Sequence, residues 1–212
     1  FRNFRFQTYD KRRDISKNMM LSPGEIHIHK LEKGDHYADL RKILGRYLNA
    51  DPNEIEIVRD KMGKPHLGGV HAAKLQFNLT HTETKLLIAV AEEPVGVDME
   101  SLQRNIDYEL ILRRYFTESE RHDFIESVQA QNTDKREVFI KGWTRKEAVL
   151  KAVGTGLSAM REYEISFDKI RADKYLNADY SLKDFSPEEG YWASVSLKRE
   201  SIRKVSIFEG IH

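Results

Sequence analysis

The sequence predicts an α+β protein in two halves, and three observations carry that prediction. Three strand-like segments, Lys74–Leu79, Lys85–Ala91 and Val95–Glu100, follow one another with short, turn-like connections, as in an antiparallel meander. The middle of the chain then turns helical, from Thr117 to about Val153. Strand patterns return afterwards at Glu164–Ile170, Tyr191–Leu197 and Lys204–Phe208. Each half thus holds helix and antiparallel strand, with a boundary expected within Ser101–Tyr108. The halves are placed at 1–104 and 105–212.

The elements follow from local chemistry. Glu25–Leu31 alternates apolar and polar side chains and reads as a strand. Tyr37, Leu40, Ile43, Leu44, Tyr47 and Leu48 recur at helical spacing, so His36–Leu48 is an amphipathic helix, broken by Asp51-Pro52. Glu54–Val58 is a short strand, and Asp60–Gly69, rich in Gly and Pro, is a loop. Thr117 with Glu120 three residues on is a capping box that opens a helix to about Gln131. A longer helix over Lys135–Val153 ends at Gly154-Thr155-Gly156. The aromatic residues of Tyr108–Phe124 are mostly core by periodicity, and Trp192 is assigned to the core of the last sheet.

Composition narrows the function. The 212 residues are 40% hydrophobic and 33% charged, a globular balance. Lys and Arg number 35 and Asp and Glu 34, so no overall field points to nucleic acid or to a membrane. The absence of cysteine excludes a disulfide framework, a zinc–thiolate site and a thiol nucleophile. The longest apolar run, Leu86–Ala91, falls far short of the roughly 20 residues that span a bilayer. Phe1–Arg13 is basic and aromatic with no apolar stretch behind it, unlike a signal peptide. A cytoplasmic monomer is expected.

The candidate chemistry is carried by carboxylates and cations. Asp98 and Glu100 sit two apart near a strand end, so their side chains share a face and suit a hard cation such as Mg²⁺. Glu147 and Lys151 lie four apart on the long helix, one above the other. That spacing describes an ordinary surface ion pair equally well, but Trp143 beside them is unusual for a solvated face. His27 and His29 form a His-x-His on a strand; with no third ligand near in sequence, a partly exposed strand face is the preferred reading.

Five motifs occur in order: Gly63-Lys64-Pro65, Phe77-Asn78-Leu79-Thr80-His81, Val95-Gly96-Val97-Asp98-Met99-Glu100, Trp143-Thr144-Arg145-Lys146-Glu147-Ala148 through Lys151, and Gly154-Thr155-Gly156-Leu157. Together they resemble the 4′-phosphopantetheinyl transferases of the Sfp type, over roughly Arg41 to Phe167. The resemblance implies a pseudo-dimer of two α+β subdomains, each a small antiparallel sheet packed with helices, with the active site between them. It implies coenzyme A as donor, Mg²⁺ (or Mn²⁺) as cofactor, and a serine of an apo acyl or peptidyl carrier protein as acceptor. Carried over position by position, Asp98, Glu100 and Glu147 would hold the metal. Glu147 would also be the base, and Lys151 would neutralise phosphate. Arg41, Lys64, Pro65, Thr80 and His81 would bind coenzyme A, as would Arg12 and Arg13 of the basic opening segment. Thr80 replaces the family's usual Ser but keeps the hydroxyl. The basic segment precedes the strand-like Glu25–Leu31, whereas relatives carry it after their first strand. Two other classes fit the same side chains: a Mg²⁺-dependent nuclease, and a non-catalytic module that binds coenzyme A or a carrier protein.

Overall fold

The computed structural model describes residues 6–9, 19–168, 180–198 and 202–210. Arg12 and Arg13 lie outside the described residues. The elements, in chain order, are β1 (Phe6–Tyr9), β2 (Glu25–Glu32), α1 (His36–Leu48), β3 (Ile57–Arg59), β4 (Pro65–Leu67), β5 (Gln76–His81), β6 (Lys85–Ala91), β7 (Val95–Ser101), α2 (Tyr108–Tyr115), α3 (Glu118–Gln131), α4 (Lys135–Val153), β8 (Tyr180–Phe185), β9 (Tyr191–Lys198) and β10 (Lys204–Glu209). The fold is mixed α and β, with three sheets in the orders β1-β10-β2-β6-β5, β3-β4 and β7-β9-β8.

Strand β6 shows why the layers stack as they do. All of Leu86–Ala91 is buried, because both faces of the strand are covered. Leu86, Ile88 and Val90 pack with Leu40, Ile43 and Leu44 of α1. Leu87, Ala89 and Ala91 pack in one core with Val95, Val97 and Met99 of β7 and with Val195 and Leu197 of β9. The five-stranded sheet therefore has α1 on one face and the three-stranded sheet on the other. On the far face of the three-stranded sheet lies α4. Its Val138, Phe139, Ala148 and Val149 share a core with α2, α3 and β8.

Several expectations are corrected. The meander stops after two strands: β5 pairs β6 antiparallel, but β7 pairs β9 in the other sheet. The five-stranded sheet is mixed, because β1 and β2 both pair β10 in parallel. β7 joins the later sheet, and β10 inserts between β1 and β2 of the earlier one. Glu164–Asp168 is not a strand. Its backbone is satisfied by side chains instead: Glu120 accepts from Ile165 N, Asp123 accepts from Phe167 N, and Arg145 donates to Ser166 O. The third strand from the end is β8, which the polar Ser181 and Asp184 concealed; both are buried. Trp192 is only half-buried, with the Lys141 ammonium 4.4 Å from its ring centroid. His27 and His29 are buried at 6% and 2% exposure rather than on an open strand face. His27 Nδ1 and His29 Nε2 each lie 2.8 Å from the Tyr47 hydroxyl, which reaches them from α1. Among the described residues no helix is long and apolar enough to cross a membrane.

Two predictions follow from this packing. A Cβ at Gly96 of β7 would fall 2.1 Å from Ala148 O and 2.3 Å from Ala152 N of α4, both backbone atoms that cannot swing aside. Gly96→Ala is expected to cost about 1–3 kcal/mol or more by overpacking, read by thermal unfolding, because α4 must move off β7. The second concerns acid. Burial lowers the His29 imidazole from 6.5 to about 3, helped by the charges of His27 and Arg46. His27 moves the same way, with Glu25 opposing and Lys204 adding. A group with a lowered folded pKa favours the native state above its unfolded value, near 6.5, and loses that contribution as pH falls toward 3. Stability should therefore drop by up to about 1.4 kcal/mol per pH unit from this residue below pH ~6.5. His29→Gln, which keeps a hydrogen-bonding nitrogen but does not titrate, should flatten that part of the melting-temperature profile.

Candidate active site

Four parts of the chain converge on one cavity of about 450 Å³. The start of α1 contributes His36 and Tyr37. The β3–β4 hairpin contributes Arg59, Met62, Gly63, Lys64 and Pro65; β5 contributes Asn78, Leu79 and His81. The C-terminal half of α4 and the turn after it contribute Glu147, Leu150, Lys151, Gly154, Gly156 and Leu157.

The hairpin tip is built around Asp60. Its carboxylate accepts from Met62 N and Lys64 N at 2.8 and 2.9 Å, and its carbonyl accepts from Gly63 N. Gly63 sits at φ 82°, in the left-handed region that glycine enters without strain. This turn fixes the Lys64 backbone at the cavity edge. The Lys64 ammonium donates to Lys151 O near the C-terminus of α4, where the helix dipole favours a cation. Burial lowers the pKa of Lys64; the charges of Lys198 and Lys151 add to this, and Asp60 opposes it.

The edges of the two larger sheets are stitched by side chains. Val97 N donates to Asn78 Oδ1 at 3.0 Å, and Thr80 Oγ1 donates to Asp98 Oδ1 at 3.1 Å. On β7, Val95, Val97 and Met99 face the sheet-to-sheet core. Gly96, Asp98 and Glu100 alternate with them, and Gly96 lies against α4. From α4, the Lys151 ammonium reaches back to Asp98 Oδ1 at 2.7 Å and to Val97 O at 3.2 Å. Asp98 is 5% exposed, and its other oxygen, Oδ2, is buried with no hydrogen-bond partner. Burial pushes the Glu147 carboxyl up to about 7; Asp98 adds to the rise, and Lys151 and Arg104 oppose it. Glu100 is also pushed up to about 7, by burial and then by Asp98, against its ion pair with Arg104. Burial works against the charge of Lys151, but Asp98, Glu147 and Glu100 outweigh it and raise its pKa.

The orientation of α4 is set by two consecutive buried cations. Arg145, 1% exposed, donates to Asp184 of β8 at 2.6 and 2.8 Å and to Ser166 O at 2.7 Å. Asp184 accepts in turn from Ser194 Oγ of β9 at 2.7 Å. Lys146, fully buried, donates to Glu120 of α3 at 2.5 Å, 4.9 Å from the Phe116 ring centroid. Glu120 also closes the capping box with Thr117. Residue 147 follows directly, on the side of α4 that faces the cavity.

The family model of the 4′-phosphopantetheinyl transferase superfamily matches residues 94–198, which take in β7, α4 and β9. The chain is 34% identical to a 4′-phosphopantetheinyl transferase, HetI, of Nostoc over 161 residues, covering 74% of this chain and 67% of that protein. The chain belongs to this superfamily. It is also 27% identical to the 4′-phosphopantetheinyl transferase gsp of Aneurinibacillus migulanus over 203 residues, 91% of this chain and 82% of the relative. With the Sfp transferase of Bacillus subtilis the identity is 29% over 119 residues, 56% of this chain and 50% of that one.

Of the positions expected from the phosphopantetheinyl transferase resemblance, Lys64, Pro65, His81, Glu147 and Lys151 line the cavity. Thr80 does not; it is buried and engaged with Asp98. Arg41 does not either, because its Nε donates to Ile55 O at 3.2 Å. Asp98 and Glu100 lie beside Lys151 and Arg104 rather than on the cavity wall. Among the described residues no group of three His, Asp or Glu is drawn together as a metal-holding cluster. His36, Tyr37 and Arg59 were not expected. Arg59 donates to the Tyr37 hydroxyl and to Gly63 O. Its guanidinium lies 5.7 Å from the Tyr37 ring centroid.

The paired cations of α4 give a stability prediction. Removing one partner of a buried pair leaves the other charge unpaired, at a cost of about 3–5 kcal/mol. Lys146→Met should therefore destabilise the protein by that amount in denaturant unfolding. The double substitution Lys146→Met with Glu120→Leu should recover part of the loss.

Proposed function

We propose that this cavity holds coenzyme A and that transfer takes place at its α4 end. The protein is a 4′-phosphopantetheinyl transferase. The reaction moves 4′-phosphopantetheine from coenzyme A to a serine of an apo carrier protein and releases adenosine 3′,5′-bisphosphate. The observation that best supports the site is the meeting of Asp98, Glu147 and Lys151 beside a cavity that also carries Lys64 and His81.

The donor set suits a divalent cation. Asp98 Oδ2 is a buried oxygen without a partner, and Glu100 and Glu147 each feel the charge of Asp98, which makes an oxygen-only donor set. Asp98, Glu100 and Glu147 would hold Mg²⁺ or Mn²⁺, which supplies charge neutralisation on the pyrophosphate. The serine hydroxyl attacks the β-phosphorus, and the bond from that phosphorus to the bridging anhydride oxygen breaks. Glu147, held near neutral pH by burial and by Asp98, takes the hydroxyl proton. The ammonium of Lys151 faces the negative charge on the transferring and leaving phosphates. Lys64 and His81 hold coenzyme A from the hairpin and from β5, with Arg59 and Tyr37 as further walls.

The two halves, 1–104 and 105–212, are read as the members of a pseudo-dimer. In support of this, one wall of the cavity comes from α1, the hairpin and β5, and the other from α4. The protein would act as a cytoplasmic monomer on acyl or peptidyl carriers of fatty-acid, polyketide or peptide-synthetase systems. Its near-zero net charge and lack of a basic stripe disfavour the nuclease reading.

Incubation with coenzyme A, Mg²⁺ and an apo carrier protein should raise the carrier mass by one phosphopantetheine. Excess EDTA should abolish the gain. Cleaved DNA without a carrier adduct would instead mark a nuclease, and binding without product a passive module. A folded Glu147→Gln variant should lose at least about a hundredfold in kcat, since its amide cannot take a proton. Near-normal turnover of that variant would overturn the assignment.

A further inference from the structure

Asp98 and Glu100 of β7 each face a cation, and the two cations are held very differently. Lys151 reaches Asp98 from α4 at 2.7 Å and has a second anchor, Val97 O, at 3.2 Å. Arg104 reaches Glu100 from the turn that follows β7. Backbone donors close that turn. Arg104 N donates to Ser101 O at 3.0 Å, Gln103 N to Ser101 Oγ at 3.2 Å, and Leu102 N to Gly190 O at 2.9 Å. The backbone of Arg104 is thereby fixed, and its side chain folds back four positions to donate through Nη1 to Glu100 Oε1. Among the described residues that carboxylate is the guanidinium's one hydrogen-bond partner. The Arg104 side chain is 47% exposed, against 16% for Glu100 and 28% for Lys151.

We propose that Arg104 competes with the divalent cation for Glu100: the guanidinium holds this carboxylate until the cation takes it, and then turns out into solvent. The inference rests on Asp98, Glu100 and Glu147 being the ligands of that cation. A carboxylate held by a guanidinium cannot also serve a divalent cation without bringing like charges within a few ångströms of one another. One of the neighbouring cations must therefore yield. Lys151 would forfeit two hydrogen bonds, one of them to a backbone carbonyl. Arg104 forfeits one, and water already reaches about half of its side chain. An ion pair this exposed contributes little by itself, so it weakens cation binding without excluding it. Arg104 is in this sense a positioning residue. It neutralises and orients Glu100 before the cation binds, and its fixed backbone keeps it beside the carboxylate that it gives up.

Titration of the full chain with Mn²⁺ in saturating coenzyme A tests this. Free Mn²⁺ is read by electron paramagnetic resonance, with a protein-free blank for Mn²⁺ held by the donor itself. Arg104→Gln and Arg104→Ala should each bind Mn²⁺ about three- to tenfold more tightly than the unmodified protein, because no pair has to be broken. Losing any nearby positive charge would also tighten a cation, so a second measurement separates displacement from a distant field. In isotopically labelled protein, the guanidinium resonance of Arg104 is identified by its absence from the Gln variant. It should move to the position of a solvent-exposed arginine on saturation with Mg²⁺ and coenzyme A, and stay in place with coenzyme A alone. Matched melting temperatures guard against misfolding, and the Ala variant serves if the Gln variant does not fold. Unchanged or weaker Mn²⁺ binding in the variants, or a resonance that Mg²⁺ does not move, would overturn the role of Arg104 while leaving the metal site. Failure of the unmodified protein to bind Mn²⁺ beyond the blank would overturn the metal reading and this inference together.

Discussion

The close approach of α4 to β7 is the constraint on which the site depends. Gly96 lets the helix backbone sit where a side chain would otherwise stand. That contact brings Lys151 within hydrogen-bonding reach of Asp98 and Val97 O. The same helix is held from its other sides by its own Arg145, paired with Asp184 of β8, and Lys146, paired with Glu120 of α3, both as buried ion pairs. Such pairs add little net stability, because desolvation offsets attraction, but they penalise every other orientation of the helix. The carboxylate at position 147 therefore sits on an element anchored immediately before it. The neighbouring charges that perturb it are themselves fixed in place.

Electrostatics and packing meet at Asp98. One oxygen is occupied by Thr80 and Lys151, and the other has no partner. Burial first, and Asp98 second, raise Glu100 and Glu147 beside it to about 7. The Lys151 ammonium compensates Asp98, and the Arg104 guanidinium compensates Glu100.

Most of this was legible in the sequence where local rules and tertiary demands agreed. The bounds of α1 and α4 follow from periodicity and from Gly154 as the left-handed terminator, and the capping box at Thr117 opens α3 as expected. The shared face of Asp98 and Glu100 follows from strand alternation. Legibility ended where side chains replace backbone partners. Glu164–Asp168 has the pattern of a strand but is held by Glu120, Asp123 and Arg145. β8 lacked the pattern, because its Asp184 is buried as the counter-ion of Arg145. Within the site, Lys64, His81, Glu147 and Lys151 sit in recognisable motifs. His36 sits in none and meets His81 only through the fold. Arg41 sits on α1 as its motif position implied, and its Nε reaches Ile55 O, a contact that only the tertiary fold supplies.

The position of β10 carries a consequence for how the protein is made. Residues 204–209 pair with 25–30 on one side and with 6–9 on the other, so the five-stranded sheet joins segments far apart in sequence. During synthesis from the N-terminus, β2 emerges with one edge that has no neighbour until residues 204–209 have been translated. That edge is a row of unsatisfied amides and carbonyls, open to pairing with other chains. The pairing of Lys204 with Glu25 spans 179 residues, a long-range contact that favours slow folding. The wall of the cavity formed by α1 and β5 rests on this sheet. A nascent chain therefore completes the sheet beneath this wall only when β10 arrives, and the interval before then is when it most needs chaperone protection.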